Sequence, residues 1–160
     1  MTVDDEFQPQ DDTGEFFAAL RCIFCGAAHR LDRSIERDDE CARCASPLYP
    51  AERHRLEYSG QRMLTRVAKQ GVVEIFTAYP QKEPLKAEMR DLSLNGMQLA
   101  APVRLAQDQI IKVVGDDCSG LGRVAHCRRE SLASERWLIG IEFLTLRFTQ
   151  HTGTFVSLRV

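Results

Sequence analysis

The chain has no excess of charge of either sign: 21 basic side chains stand against 23 acidic ones, for a formal net charge of -2. That excludes a global field able to draw it onto nucleic acid or an anionic membrane. No apolar run approaches the roughly 20 residues that a spanning helix needs, so membrane insertion is not expected. The opening residues, MTVDDEFQPQDD, lack the basic start and apolar stretch of a signal peptide, and a cytoplasmic location is expected. An H-E-x-x-H pair, a phosphate-cradling glycine loop and a recognisable nucleophile-base pairing are also missing, which points away from an enzyme.

What remains is enough for one ordinary domain and a small module: 160 residues, of which 44% are hydrophobic. Residues 1–15 are acidic, with Pro9 and few apolar positions, and read as an unstructured tail. Residues 16–50 hold Cys22-x-x-Cys25 and Cys41-x-x-Cys44, separated by fifteen residues (26 to 40). In a reducing compartment, paired C-x-x-C turns signal a metal rather than disulfides. Each turn aims two thiolates at one point, and two turns complete a tetrahedron. The segment resembles a zinc ribbon. Four thiolates fill the shell, so the expected zinc is structural, though iron also suits such a donor set. A redox dithiol is the rival reading, disfavoured because two pairs occur without a βαβ pattern. His29, close behind Cys25, is read as a surface residue.

Between Arg21 and Arg55 seven arginines face six acids, with no lysine. A dedicated phosphate-binding surface is more basic than that, so nucleic acid is an unlikely partner and a protein contact is favoured. Residues 51–60 read as a charged linker. The rest, 61–160, reads as β-structure: Val72–Tyr79, Leu85–Met89, Met97–Ala101, Ile110–Val114, Leu121–Arg128 and Trp137–Leu144 are short, β-branched or alternating, with turn residues between them. The fold class is therefore mainly β, an antiparallel six-stranded barrel or sandwich, with a possible terminal helix over Arg147–Leu158. Cys118 is expected in a turn, Cys127 in the core, and Trp137 packed at the barrel's end or under the terminal segment.

Two stretches of the second region carry binding chemistry. Arg62-x-x-x-Arg66 supplies two guanidinium forks, and Asp91-x-Ser93-x-x-Gly96 supplies an acceptor, a hydroxyl and a turn glycine on a loop between strands. Taken in this order on a β-barrel pattern, and with Gly140-Ile141-Glu142-Phe143 closing the region, they resemble the PilZ domain, the bacterial receptor module for cyclic di-GMP. The likeness spans roughly Gln61–Leu146 and implies a six-stranded barrel. It also implies a ligand site at Arg62, Arg66, Asp91, Ser93 and Gly96. An arginine fork matches the O6/N7 edge of guanine and pairs with phosphate. Asp91 would accept from guanine N–H groups, Ser93 would donate to a phosphate oxygen, and Gly96 would let the loop approach the ligand. Many members carry a further arginine where this chain has Gln61, which bears on how many nucleotides bind. The resemblance implies a signalling receptor that relays cyclic di-GMP to an unidentified protein partner. The alternatives are a nucleotide-independent adaptor and a ribbon that binds nucleic acid.

Overall fold

The computed structural model describes residues 21–29, 33–51 and 67–149. The expected tail, most of the expected linker, Arg62, Arg66 and the chain beyond Thr149 lie outside the described residues. Six antiparallel strands form a closed barrel: β1 (Val67–Phe76), β2 (Leu85–Leu92), β3 (Gly96–Ala101), β4 (Ile110–Val114), β5 (Cys118–Arg129) and β6 (Trp137–Phe148), in the order β1-β2-β3-β6-β5-β4. Alternation places the core: in β4, Ile111 and Val113 are fully buried while Lys112 between them is not. Val73, Ile75, Met89, Leu99, Ile139 and Phe143 complete the interior, and Leu105 in the β3–β4 connection folds back onto it. At Gly122 in β5 a Cβ would lie 2.2 Å from the Ile141 side chain, so that glycine leaves the space Ile141 fills.

The barrel expected from the sequence is present: β4 has the expected bounds, β2, β3, β5 and β6 are longer, and β1 begins earlier and ends at Phe76 rather than Tyr79. Cys118, expected in a turn, is the first residue of β5 and is buried. Cys127 is only partly buried, packed at the margin of the core. Trp137 also packs there, with the Arg104 and Arg129 guanidinium groups each 5.5 Å from its ring. No helix occurs among the described residues. Arg147 and Phe148, where the sequence allowed a terminal helix to begin, continue β6 instead, because Ser119 and Cys118 of β5 pair with them. The rest of that stretch lies outside the described residues.

The cysteine module is built from one turn used twice. Cys22 N–H donates to Ala27 O and Gly26 N–H to Cys22 O, both at 2.8 Å; Cys41 N–H donates to Ser46 O and Ala45 N–H to Cys41 O, also both at 2.8 Å. The residue after each second cysteine is left-handed, Gly26 at φ 75° and Ala45 at φ 57°. The module packs on the outside of the barrel along one row of paired residues, Phe76, Lys112, Leu121 and Thr145. Leu121 is buried against Cys22, Cys41, Cys44 and Leu48. Lys112 Nζ donates to Cys44 O, Tyr79 Oη donates to Arg43 O at 3.0 Å, and Arg147 pairs with Glu40 at 3.0 Å. The module's last residues then pair with β6: Leu146 N–H donates to Tyr49 O at 3.1 Å and Ala51 N–H to Leu144 O at 3.0 Å.

Two predictions follow from this packing, both read by thermal denaturation. Only glycine is at ease in the left-handed region. Ala45→Gly should stabilise the protein by up to ~1 kcal/mol, whereas Gly26→Ala should cost about 1–2 kcal/mol although its surroundings are open. Leu121→Ala, which removes the apolar contact between module and barrel, should cost about 2–5 kcal/mol.

Candidate functional site

The two places the sequence singled out are both built by local backbone geometry. The first is the cysteine cluster. The Sγ atoms of Cys22, Cys25, Cys41 and Cys44 all lie within 4.8 Å of one another. Cys22 and Cys44 are 3.6 Å apart, Cys25 and Cys41 3.5 Å. A tetrahedral thiolate shell with metal–sulfur bonds of about 2.3 Å needs edges of about 3.8 Å, so the four thiols fit a metal ion of that kind. Among the described residues no other such group exists, and His29 is not part of this one.

The thiols are not equivalent. Burial pushes Cys22 up to about 12 and raises Cys25 as well. Burial acts upward on Cys44 too, but the Ser46 hydroxyl and amide outweigh it and bring Cys44 down to about 7. Cys41 is lowered by the amides of Cys44 and Arg43 against the same burial. The amides and the hydroxyl thus favour thiolates that a cation would stabilise. Ser46 was missed in the sequence, where Ser46-Pro47 signalled only a helix break. It is fully buried, with its Oγ 3.0 Å from the Cys44 sulfur.

The second place is the loop joining β2 to β3. The β2–β3 register shifts between Met89 and Asp91, and the Gln98 N–H donates to Asp91 Oδ1 at 3.1 Å, which fixes the carboxylate at the irregularity. Ser93 holds the loop together. Its N–H donates to Gly96 O at 2.9 Å and its hydroxyl donates to the same oxygen at 3.2 Å, while Asn95 and Gly96 N–H donate to the hydroxyl at 3.3 and 3.2 Å. Gly96 is required for a reason the sequence did not display: a Cβ there would lie 2.1 Å from the Ile141 carbonyl oxygen of β6. Asn95, not singled out from the sequence, docks the loop on β6 by accepting from Phe143 N–H at 2.7 Å. Its side-chain Oδ1 is buried with no hydrogen-bond partner among the described residues.

The chain converges on this loop from two sides. On β6, Asn95 bonds Phe143 and Ala51 bonds Leu144, so the chain leaving the cysteine module passes directly beside the loop. On the other side, Val67, the residue after Arg66, pairs with Leu92. Ala51 and Val67 bracket the segment that contains Arg62 and Arg66, which itself lies outside the described residues. Arg123 on β5 is engaged by Glu142 at 2.8 Å and Asp108 at 4.0 Å, in exposed ion pairs.

Because the contact at Gly96 is with backbone, which has little room to yield, Gly96→Ala should cost toward the upper end of ~1–3 kcal/mol. Ser93→Ala, which loses the hydroxyl's turn bonds, should cost about 1 kcal/mol. Urea denaturation of both variants measures this.

Comparison with known proteins gives one family: the PilZ domain, matched over residues 61–155. No curated protein matches significantly. The matched stretch covers all six strands and the β2–β3 loop and exceeds half of the chain. With a closed antiparallel barrel, the Asp91–Gly96 loop at one end of β3, and a preceding four-cysteine cluster compatible with a zinc ribbon, the chain belongs to the PilZ domain family of cyclic di-GMP-binding and adaptor domains.

Proposed function

We propose that this protein is a cytoplasmic, non-enzymatic receptor for cyclic di-GMP that passes the signal to a protein partner, with a structural zinc ion in its ribbon. The observation that carries the reading is the position of Ala51 and Val67. Both ends of the segment bearing Arg62 and Arg66 are anchored next to the Asp91–Gly96 loop. A segment tethered at both ends beside the loop pays a small entropic cost to bring its arginines onto a ligand held there. In this reading Arg62 and Arg66 take guanine edges and phosphates, and Asp91 accepts from guanine N–H groups. Ser93 keeps the loop in shape and offers its hydroxyl to phosphate in exchange for a turn bond. Gly96 sets the loop's seat on β6. Cys22, Cys25, Cys41 and Cys44 hold the zinc, which supplies the cross-link that closes the small ribbon.

In this reading residues 16–50 form the ribbon, 51–60 the linker and 61–160 the receptor barrel. A free linker at 51–60 would let ligand reposition the ribbon relative to the barrel. The packing of Leu121, Lys112, Tyr79 and Arg147 against the ribbon favours a different relay, in which the two modules act as one body and the ligand alters the surface they share. One observation favours a nucleotide-independent adaptor, namely that the Ser93 hydroxyl is already used within the loop. A nucleic-acid-binding ribbon is disfavoured because its charges neutralise each other locally: Arg33 pairs with Asp39 at 2.7 Å. Among the described residues no helix is long and apolar enough to cross a membrane.

Titration calorimetry with cyclic di-GMP tests the receptor reading. The unmutated protein should bind, and Arg62→Ala and Asp91→Ala should each weaken binding about 10- to 100-fold, the range for a lost hydrogen bond to a charged group. Absence of heat at high micromolar ligand overturns the receptor reading in favour of the adaptor. Elemental analysis of the purified protein should give one zinc per chain, and a strong chelator should unfold the ribbon without unfolding the barrel.

A further inference from the structure

Between the cysteine module and the barrel lies a cavity of about 710 Å³ that borders the β2–β3 loop. Its walls come from three parts of the chain: Arg37 and Asp38 from the module, Tyr49 from the segment paired with β6, and Leu94, Arg147 and Phe148 from the barrel. Leu94 sits in the middle of the Asp91–Gly96 loop, is 41% exposed, and is the residue of that loop that lines the cavity. The lining is suited to a guanine nucleotide. Tyr49 and Phe148 are half-buried rings, Asp38 can accept from guanine N–H groups, and Arg37 has no carboxylate partner among the described residues. Arg147, by contrast, is held by Glu40 at 3.0 Å.

The turn carrying Arg37 and Asp38 is shaped by Asp39. The Asp39 carboxylate accepts from Arg33 at 2.7 and 2.8 Å and from Glu36 N–H at 2.7 Å, and Asp39 N–H donates to Glu36 O at 3.1 Å. The turn is joined to the second cysteine turn through the Asp39 O–Leu48 N–H bond at 2.9 Å and the bridge of Glu40 to Pro47. Cys41 follows immediately. The placement of Arg37 therefore follows that of the second cysteine turn, whose thiols share the four-cysteine cluster with the first.

We propose that the cysteine module forms one wall of the nucleotide site, with Arg37 contacting the ligand, so that metal occupancy of the four-cysteine cluster and cyclic di-GMP affinity are linked. The inference rests on the receptor reading above and adds the ribbon to its site. Linkage is reciprocal: by whatever factor the metal tightens nucleotide binding, the nucleotide tightens metal binding.

Calorimetry with cyclic di-GMP on the metal-loaded protein, the chelated protein and metal-loaded Arg37→Ala tests the idea. Arg37 is not a metal ligand, so that variant should retain its metal and bind roughly 10-fold more weakly. The chelated protein should weaken by at least as much, with unchanged fluorescence of Trp137, the only tryptophan, reporting an intact barrel. In a second measurement, cyclic di-GMP should slow transfer of zinc to a chromogenic chelator. If the loaded protein binds nucleotide but Arg37→Ala and the chelated form match it, and zinc transfer is indifferent to nucleotide, the linkage is overturned while the receptor reading stands. If the loaded, unmutated protein does not bind at all, both fall.

Discussion

One edge of β6 is shared end to end by two separate pieces of chain, residues 95–101 and 49–51. β3 pairs with it from Trp137 to Glu142, Asn95 takes the next donor at Phe143, and Tyr49–Ala51 continue along Leu144–Leu146. A strand edge offers a fixed row of donors and acceptors, each of which must be satisfied once buried. That row sets the loop and the end of the cysteine module side by side. The condition is that Gly96 lies too close to the Ile141 carbonyl for any side chain, so the motif glycine is where loop and β6 are brought into contact.

On the outer face the same economy of contacts fixes the module. Its apolar content is small, and the buried cysteines with Leu48 find their cover in Leu121 of the barrel. A module this small buries little apolar surface of its own and gains from the cover of a neighbour. The four thiols, the module and the barrel are thereby connected through direct contact. The turn with Arg37 and the loop with Leu94 both line one cavity because both are anchored to this body.

Much of this was legible residue by residue. The four cysteines announced their cluster because thiolate chemistry fixes both number and spacing. The strands were legible because β-branched alternation and turn residues are local signals, and Ile110–Val114 was read to the residue. Strand ends were not. Cys118, Arg147 and Phe148 are strand only because β5 and β6 pair with each other there, and no local signal marks a partner. Ser46 looked like a helix breaker, and only the folded turn shows its hydroxyl against the Cys44 sulfur. Asn95 passed as turn filler for the same reason.

By itself the sequence determined the chemical inventory: four thiols at metal-ligand spacing, an antiparallel β region, and an Asp-x-Ser-x-x-Gly loop preceded by paired arginines. These depend on residue type and short spacing, which the chain carries without folding. Only the tertiary structure decided why Gly96 must be glycine, what the Ser93 hydroxyl bonds, and that the cysteine module lies against the barrel with its cavity opening onto the loop. Apart from the Ser93 bonds, which stay within the loop, those are contacts between residues tens of positions apart, and they exist only once the barrel has closed and β6 has found its neighbours.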